Sequence, residues 1–446
     1  MNLPNYNPRP MNYKSLFLAL MFIPVWGVAQ ESLTLEKAID AALTKNFDIL
    51  VSRNDADATK ANNTLGNAGI LPTVNLNGSA TASQTSEYQR LTTGAENTGN
   101  PGKLSANVGV ELSWTLYDGG KMFVTREKLQ QLEQLGSLRY REIILQTTYD
   151  VVAAYYNIIR LQQQMRSMDE TIRYNKEREA LAELALRAGS KARPELLQAR
   201  IDYNEAVESS ITQKFAILEA KRELNVLLGR RSETPFEVTD TLVNTYQPNA
   251  DELFKQLELT NPQLLAFQKL AEISKLALDE TKSKFLPRLS LTAGVYQSVG
   301  QNSEGTVQRY SNLGPQVSAR LSIPLYQAGE AKRLKTLAAL EQKTAQLEMD
   351  KIKLEMQATL QNALDEFNNQ KQLLEIETSN NLFAKEYLDI SIERLRWGQT
   401  TSLEVHQAQA SFVNSNTRLY NFKFALKLAE TRLKQLVSGL AQVRAN

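Results

Sequence analysis

The sequence predicts an α+β fold made of two copies of one unit, each a hairpin of amphipathic strands set between a shorter helix and a pair of long helices. Three observations predict it. The chain repeats itself: Leu186-Arg187-Ala188-Gly189 returns 209 residues later as Leu395-Arg396-Trp397-Gly398, and Leu116-Tyr117-Asp118-Gly119-Gly120 returns at the same interval as Leu325-Tyr326-Gln327-Ala328-Gly329. Hydrophobicity alternates with period two in two stretches of each copy. Between them run heptad-patterned stretches far too long for a compact globule. Two copies are too few for a solenoid, so the chain reads as one body with internal pseudo-symmetry.

The elements follow in order. Lys14 precedes an apolar run from Leu16 to Val25, and Gly27-Val28-Ala29 then supplies small residues. This predicts a signal peptide over 1–29, cleaved after Ala29, the run being shorter than the roughly 20 residues of a spanning helix. Met11 is a second candidate start, because the ten residues before it are polar and proline-rich. Arg9 and Lys14 account for the excess of Lys plus Arg (51) over Asp plus Glu (49), so the mature chain is neutral. That argues against a polyanion such as nucleic acid as partner.

Repeat 1 spans 30–229 and repeat 2 spans 250–439, with a linker over 230–249 and a C-terminal tail over 440–446. Each repeat opens with a helix, Thr34 to Asn67 and Ala250 to Phe285, ending ahead of a proline. Asn46 pairs with Asn261 and Leu71-Pro72 with Leu286-Pro287 at an interval of 215, so the one length difference lies between Pro72 and Tyr117. Hairpins occupy about 72–118 and 287–327. Val74, Leu76, Gly78 and Ala80 alternate with polar residues, as do Leu104, Ala106, Val108, Val110, Leu112, Trp114 and Leu116. In the second copy Leu289, Leu291, Ala293 and Val295 alternate, then Val317, Ala319, Leu321, Ile323 and Leu325. The loops over 83–103 and 297–314 are rich in polar residues and read as solvated. Such strands fit either a transmembrane barrel or a soluble sheet with one wet face. Four are too few to enclose a lumen, so a membrane barrel requires several chains.

Long helices follow over 120–187 and 329–396, each turning into a second helix over 191–229 and 400–438. Sixty-odd helical residues span about 100 Å. Val405, Phe412, Leu419, Leu426 and Leu433 hold one seam position of the last helix, and Ala408, Ser415, Phe422, Ala429 and Leu436 the other. Leu196, Tyr203, Ser210, Ile217 and Leu224 with Ala199, Ala206, Gln213, Ala220 and Leu227 repeat that seam, which suits antiparallel coiled-coil hairpins.

The absence of cysteine and the single histidine, His406, exclude disulfides, thiolate chemistry and any metal site or triad needing two histidines. No glycine-rich phosphate loop or serine elbow is present. Catalytic, cofactor and metal sites are therefore expected to be none. The rival to a membrane fold is a periplasmic or secreted coiled-coil scaffold without a barrel.

Leu186-Arg187-Ala188-Gly189-Ser190 followed by Glu195-Leu196-Leu197-Gln198-Ala199, and Leu395-Arg396-Trp397-Gly398-Gln399 followed by Glu404-Val405-His406-Gln407-Ala408, resemble the TolC-like outer membrane efflux proteins. The resemblance covers the whole mature chain and lies in the arrangement more than in any one tetrapeptide. It implies an α+β membrane protein in the outer membrane: a homotrimer with a 12-strand β-barrel, four strands per protomer, continued by an α-helical coiled-coil barrel through the periplasm. The linker and chain ends would form an equatorial belt. The implied function is the exit duct of a tripartite efflux or type I secretion system, working with a membrane-fusion adaptor and an inner-membrane pump. Leu186, Arg187, Gly189, Ser190, Leu395, Arg396, Gly398 and Gln399 would be the adaptor-docking tips. Glu195, Gln198, Thr400, Glu404 and Gln407 would line the periplasmic aperture. Gln407 is neutral where the family has an acid, and Thr400 stands where it has a base, so the resemblance carries no salt-bridge latch to this pair.

Overall fold

The computed structural model describes residues 31–190, 192–242 and 245–440. The expected signal peptide and all but the first residue of the expected C-terminal tail lie outside these residues.

Asparagine divides the opening helix of each repeat in two. The first copy gives α1 (Leu35–Lys45) and α2 (Phe47–Asn62), where one helix to Asn67 was expected. Asn46 takes an extended backbone between them, and its side-chain oxygen accepts from the amides of Asp48 (2.9 Å) and Ile49 (3.2 Å), capping α2. Its Nδ2 donates to Leu227 O at 2.8 Å. Asn261 divides the second copy in the same way: its oxygen accepts from Leu264 N (2.9 Å) and its Nδ2 donates to Leu436 O (2.9 Å). One side chain thus breaks a helix, caps the next and ties both to the end of a long hairpin.

The strands form a four-stranded antiparallel sheet in the order β2 (Thr73–Gln84), β5 (Gly102–Asp118), β7 (Arg288–Asn302), β8 (Arg309–Ser322). The two repeats meet at β5–β7. The pairs Leu76↔Val110, Val110↔Val295 and Leu112↔Ala293 put the alternating apolar set on one face. That face is open: Leu76 is 73% exposed and Val317 72%. The opposite face carries Asn75, Asn107, Glu111, Ser298 and Gln316, with Tyr296 opposite Gly109 and donating from its hydroxyl to Glu111 Oε2 at 2.9 Å. Trp114, on the apolar face, donates its indole N–H to Ile70 O at 2.9 Å.

Four expectations need correction. The loop expected over 297–314 is confined to 303–308, because β7 and β8 stay paired from Gln297↔Leu313 to Gln301↔Arg309. The loop over 83–103 contains a small hairpin, β3 (Glu87–Arg90) with β4 (Glu96–Gly99). The linker over 230–249 contains β6 (Phe236–Val238), which pairs in parallel with β1 (Glu31–Leu33). The last strand ends at Ser322, short of Leu325: Ser322 pairs with Arg288, the first residue of β7, so no strand remains for Ile323 to pair with, and Pro324 has no N–H to offer.

α3 (Lys121–Arg187) and α7 (Glu330–Arg396) have 67 residues each, and α4 (Arg193–Leu227) and α8 (Ser402–Leu436) have 35 each. At 1.5 Å per residue the longer pair extends about 100 Å. The expected seam positions are all buried or half-buried. Between the last short helices and the hairpins sit α5 (Ala250–Thr260) and α6 (Pro262–Ser283). Two cores hold these elements together. One packs Tyr155, Ile158, Leu224, Leu228 and Phe236 against α1; the other packs Leu257, Leu360, Phe367 and Leu433. The Tyr155 hydroxyl lies 2.8 Å from Asp240 Oδ2, and burial, then the Asp240 contact, push the phenol well up from its ordinary value.

Candidate functional site at the helical tips

Both long helices end in the same way because both carry glycine at the position that must turn left-handed. Gly189 and Gly398 have φ of +71°. Gly189 N donates to Leu186 O and Ser190 N to Ala185 O, both at 3.0 Å; Gly398 N donates to Leu395 O (3.0 Å) and Gln399 N to Arg394 O (2.8 Å). These are paired Schellman closures. Leu186 and Leu395 are half-buried beneath the turns, while Arg187 and Arg396 reach outward and pair within their own helices with Glu183 and Glu393, each at 2.6 Å. Trp397 is 77% exposed at the tip of the second hairpin.

The expected aperture residues divide into two groups. Glu404 sits in the first turn of α8, where the helix dipole favours a carboxylate. Thr401 caps that helix by accepting from Glu404 N at 3.3 Å. The Glu404 carboxylate accepts from Arg394 Nη1 at 2.8 Å and from the Thr400 hydroxyl, and Arg394 also donates to Gln399 O at 3.3 Å. Arg394, ahead of the glycine, therefore supplies the base that Thr400 does not. Gln198 donates to Asp202 Oδ1 at 2.7 Å. Glu195 lies exposed in the first turn of α4 and Gln407 exposed in the second turn of α8.

Sequence reasoning missed the junction between the two hairpins. Asp202 of α4, its side chain 4% exposed, accepts from Arg178 Nη1 of α3 at 2.6 Å. Arg178 Nε donates across to Ser402 Oγ of α8 at 3.1 Å, and His406 Nδ1 lies 3.5 Å from Asp202 Oδ2. Further up the same seam Arg160 Nη1 donates to Asn421 Oδ1 (2.9 Å) and Gln435 Nε2 to Gln146 Oε1 (2.9 Å). Residue numbers rise along α3 as they fall along α8, so the two helices run antiparallel. The only sequence signal was a set of polar residues at helical spacing, which reads equally well as a solvated face.

A sheet with one apolar and one polar face, set on helices about 100 Å long that close in paired turns, is the protomer architecture of an outer-membrane channel. CusC, a protein solved in a study of transmembrane channel formation, has this fold: the TM-score is 0.75 at 18% identity, over 97% of this chain and 98% of that one. The chain belongs to the outer membrane efflux protein family, whose model matches residues 38–230 and 253–439. Among relatives, the alkaline protease secretion protein AprF of Pseudomonas aeruginosa is 24% identical over 68% of this chain and 60% of its own length. The proteases secretion protein PrtF of Dickeya chrysanthemi is 21% identical over 93% of this chain and 90% of its own. The chain is an outer-membrane exit duct.

Proposed function

We propose that three copies of this exit duct join β8 of one to β2 of the next, closing a 12-strand barrel in the outer membrane. The observation that carries the reading is the sheet itself. Its apolar face is continuous, and both edge strands, β2 and β8, have no partner on their outer side among the described residues. Unpaired backbone is too costly in lipid, and four strands cannot enclose a lumen, so other chains must pair those edges. Their lengths, 12 and 14 residues, suffice for the roughly 9–11 residues of a crossing. Below the membrane, α4 exposes Ile201 and Phe215, and α7 exposes Leu347, Leu382 and Phe383. Neighbouring protomers cover these faces in a helical barrel through the periplasm.

In this reading the signal peptide is removed after Ala29 and the duct itself supplies no energy. The turns at Leu186–Ser190 and Leu395–Gln399 dock a membrane-fusion adaptor, which an inner-membrane pump loads. Glu195, Gln198, Thr400, Glu404 and Gln407 narrow the aperture, with Glu404 held by Arg394 and Thr400 in the closed state. The names of AprF and PrtF favour protein secretion as the task. Electron-microscopy class averages of detergent-extracted protein test the assembly. Threefold hollow cylinders more than about 100 Å long are expected from the helix rise, and compact single-chain particles would sink the proposal. Gly398→Pro tests docking separately: export should be lost while the barrel stays inserted, and unchanged export would remove that role for the turn.

A further inference from the structure

The charges of the four-stranded sheet are sorted by face. On the apolar face the register leaves one charged side chain, Arg309, at the end of β8 farthest from the helices. The polar face carries Lys103, Arg288 and Arg320 against Glu111 and Asp118. Those acids are half-buried and occupied: Glu111 accepts from the Tyr296 hydroxyl (2.9 Å) and Ser113 Oγ (3.0 Å), and Asp118 Oδ1 from Met122 N (3.0 Å). The three cations are exposed. Arg288 donates to the neutral Thr115 Oγ1 at 3.3 Å, although Asp118 is its partner in the register. Among the described residues neither Arg320 nor Lys103 enters an ion pair. Arg288 pairs with Ser322 and Ser290 with Arg320, so the two arginines are diagonal neighbours, about 7–8 Å apart. Lys284, exposed and likewise outside any ion pair, shares a recess with Arg288 at the same end of the sheet. The arginines of the helical tips behave differently: Arg187, Arg394 and Arg396 each hold a carboxylate.

We propose that the membrane section of the duct selects for anions, and that Arg288 and Arg320 set the preference. The inference rests on the 12-strand barrel reading, in which the polar face lines the lumen. Three copies then place a ring of unpaired guanidiniums at the helix-side mouth of the barrel and a ring of Lys103 ammoniums at the other, with Glu111 between them. A 12-strand lumen is narrower than that of the 16–18-stranded porins, so little of it lies farther from a charged wall than about 10 Å, the Debye length at 0.1 M salt. The hydrocarbon around it is of low dielectric and focuses the field along the pore. Solutes bearing carboxylate or phosphate are concentrated in the barrel, and cationic solutes are repelled. The whole chain is close to balance, with 51 Lys plus Arg against 49 Asp plus Glu, so the bias comes from where the charges sit and not from their number.

Reversal potentials of the full chain in planar lipid bilayers under a potassium chloride gradient test this. A chloride-to-potassium permeability ratio of about 2–5 is expected near 0.1 M salt, the range that exposed charge interactions give. It should fall toward unity near 1 M, where the Debye length shortens to about 3 Å. Arg320→Gln should lower the ratio, and Arg288→Gln combined with Arg320→Gln should abolish the preference for chloride. Arg320 is exposed and unpaired, so its replacement removes a charge without breaking a contact. Arg309→Gln, which removes the same charge from the apolar face, should leave the ratio unchanged. Conducting channels that favour potassium or neither ion, a ratio unmoved by the double variant, or an equal fall with Arg309→Gln would each overturn this proposal and leave the barrel standing. The absence of any conducting channel would overturn the barrel reading, and the selectivity with it.

Discussion

Replacing Asp202 by Ala should unfasten the tips of the two hairpins. The Arg178–Asp202 pair closes at 2.6 Å, with side chains 10% and 4% exposed, so neither charge is screened by solvent to any extent. Truncating one member leaves the Arg178 guanidinium buried, with Ser402 Oγ, a neutral acceptor, in place of a carboxylate. Breaking such a buried pair costs about 3–5 kcal/mol, mostly as the penalty of the stranded charge. The Gln198 and His406 contacts add little, because both side chains have ready access to water. At about 1.4 kcal/mol per tenfold, the local opening equilibrium should shift by about two to three and a half powers of ten. Hydrogen-exchange mass spectrometry reads this directly as lost protection in α3 over 173–187 and in the first turns of α8 over 402–410, with the sheet as internal control. The double variant Arg178→Met with Asp202→Leu should recover much of the protection, since apolar side chains of similar volume often replace a buried pair at no loss. Unchanged protection over 402–410 in the single variant, or a double variant no better than the single, would refute the reasoning.

Three further outcomes follow from the same geometry. Ala328 holds φ of +46° where the first repeat has Gly119 at +76°; Ala328→Gly should relieve about 1 kcal/mol of left-handed strain, seen as a raised denaturation midpoint. Asn261→Ala removes both a helix cap and the donor to Leu436 O; about 2–3 kcal/mol of stability should go, measured by denaturant titration, and a loss under 0.5 kcal/mol (about the low end of a single cap) would show that the break is made by the backbone alone. Burial pushes the Glu280 carboxyl up, but the Lys128 ammonium, helped by Thr125 and Lys121, outweighs it and holds the group below its usual 4.5. A depressed folded value means the stabilisation is present above the unfolded value and is lost as pH falls through the folded one. Acid should therefore loosen the α3–α6 contact below about pH 4.5, and Glu280→Gln should flatten that dependence in thermal melts across the same window.

Much of this architecture is legible in the chain because it depends on local rules. Period-two alternation is a property of any pleated strand, so the apolar face could be named from Leu76, Val110, Val295 and Val317 before any pairing was known. Heptads likewise name the buried seam, and glycine names the turn at 189 and 398, since a left-handed residue is required there whatever surrounds it. What the local rules missed depends on partners far away in sequence. Leu325 alternates as well as Leu321 does, yet Ser322 closes the ladder because β7 begins at Arg288. Asn46 repeats as Asn261, but its role as a helix break rests on a carbonyl 181 residues on. β1 and β6 are three residues each, too short to show any period.

The sequence by itself determined the repeat, the two faces of the sheet, the long helices and the glycine turns, all of which are encoded by the conformational preferences of neighbouring residues. The tertiary structure alone decided which polar side chains on those helices are spent on solvent and which on each other. Arg178, Asp202 and Ser402 come from three helices. A charged residue on a helix looks the same in sequence whether it faces water or a buried partner, and only the packing of α3 and α4 against α8 separates the two cases.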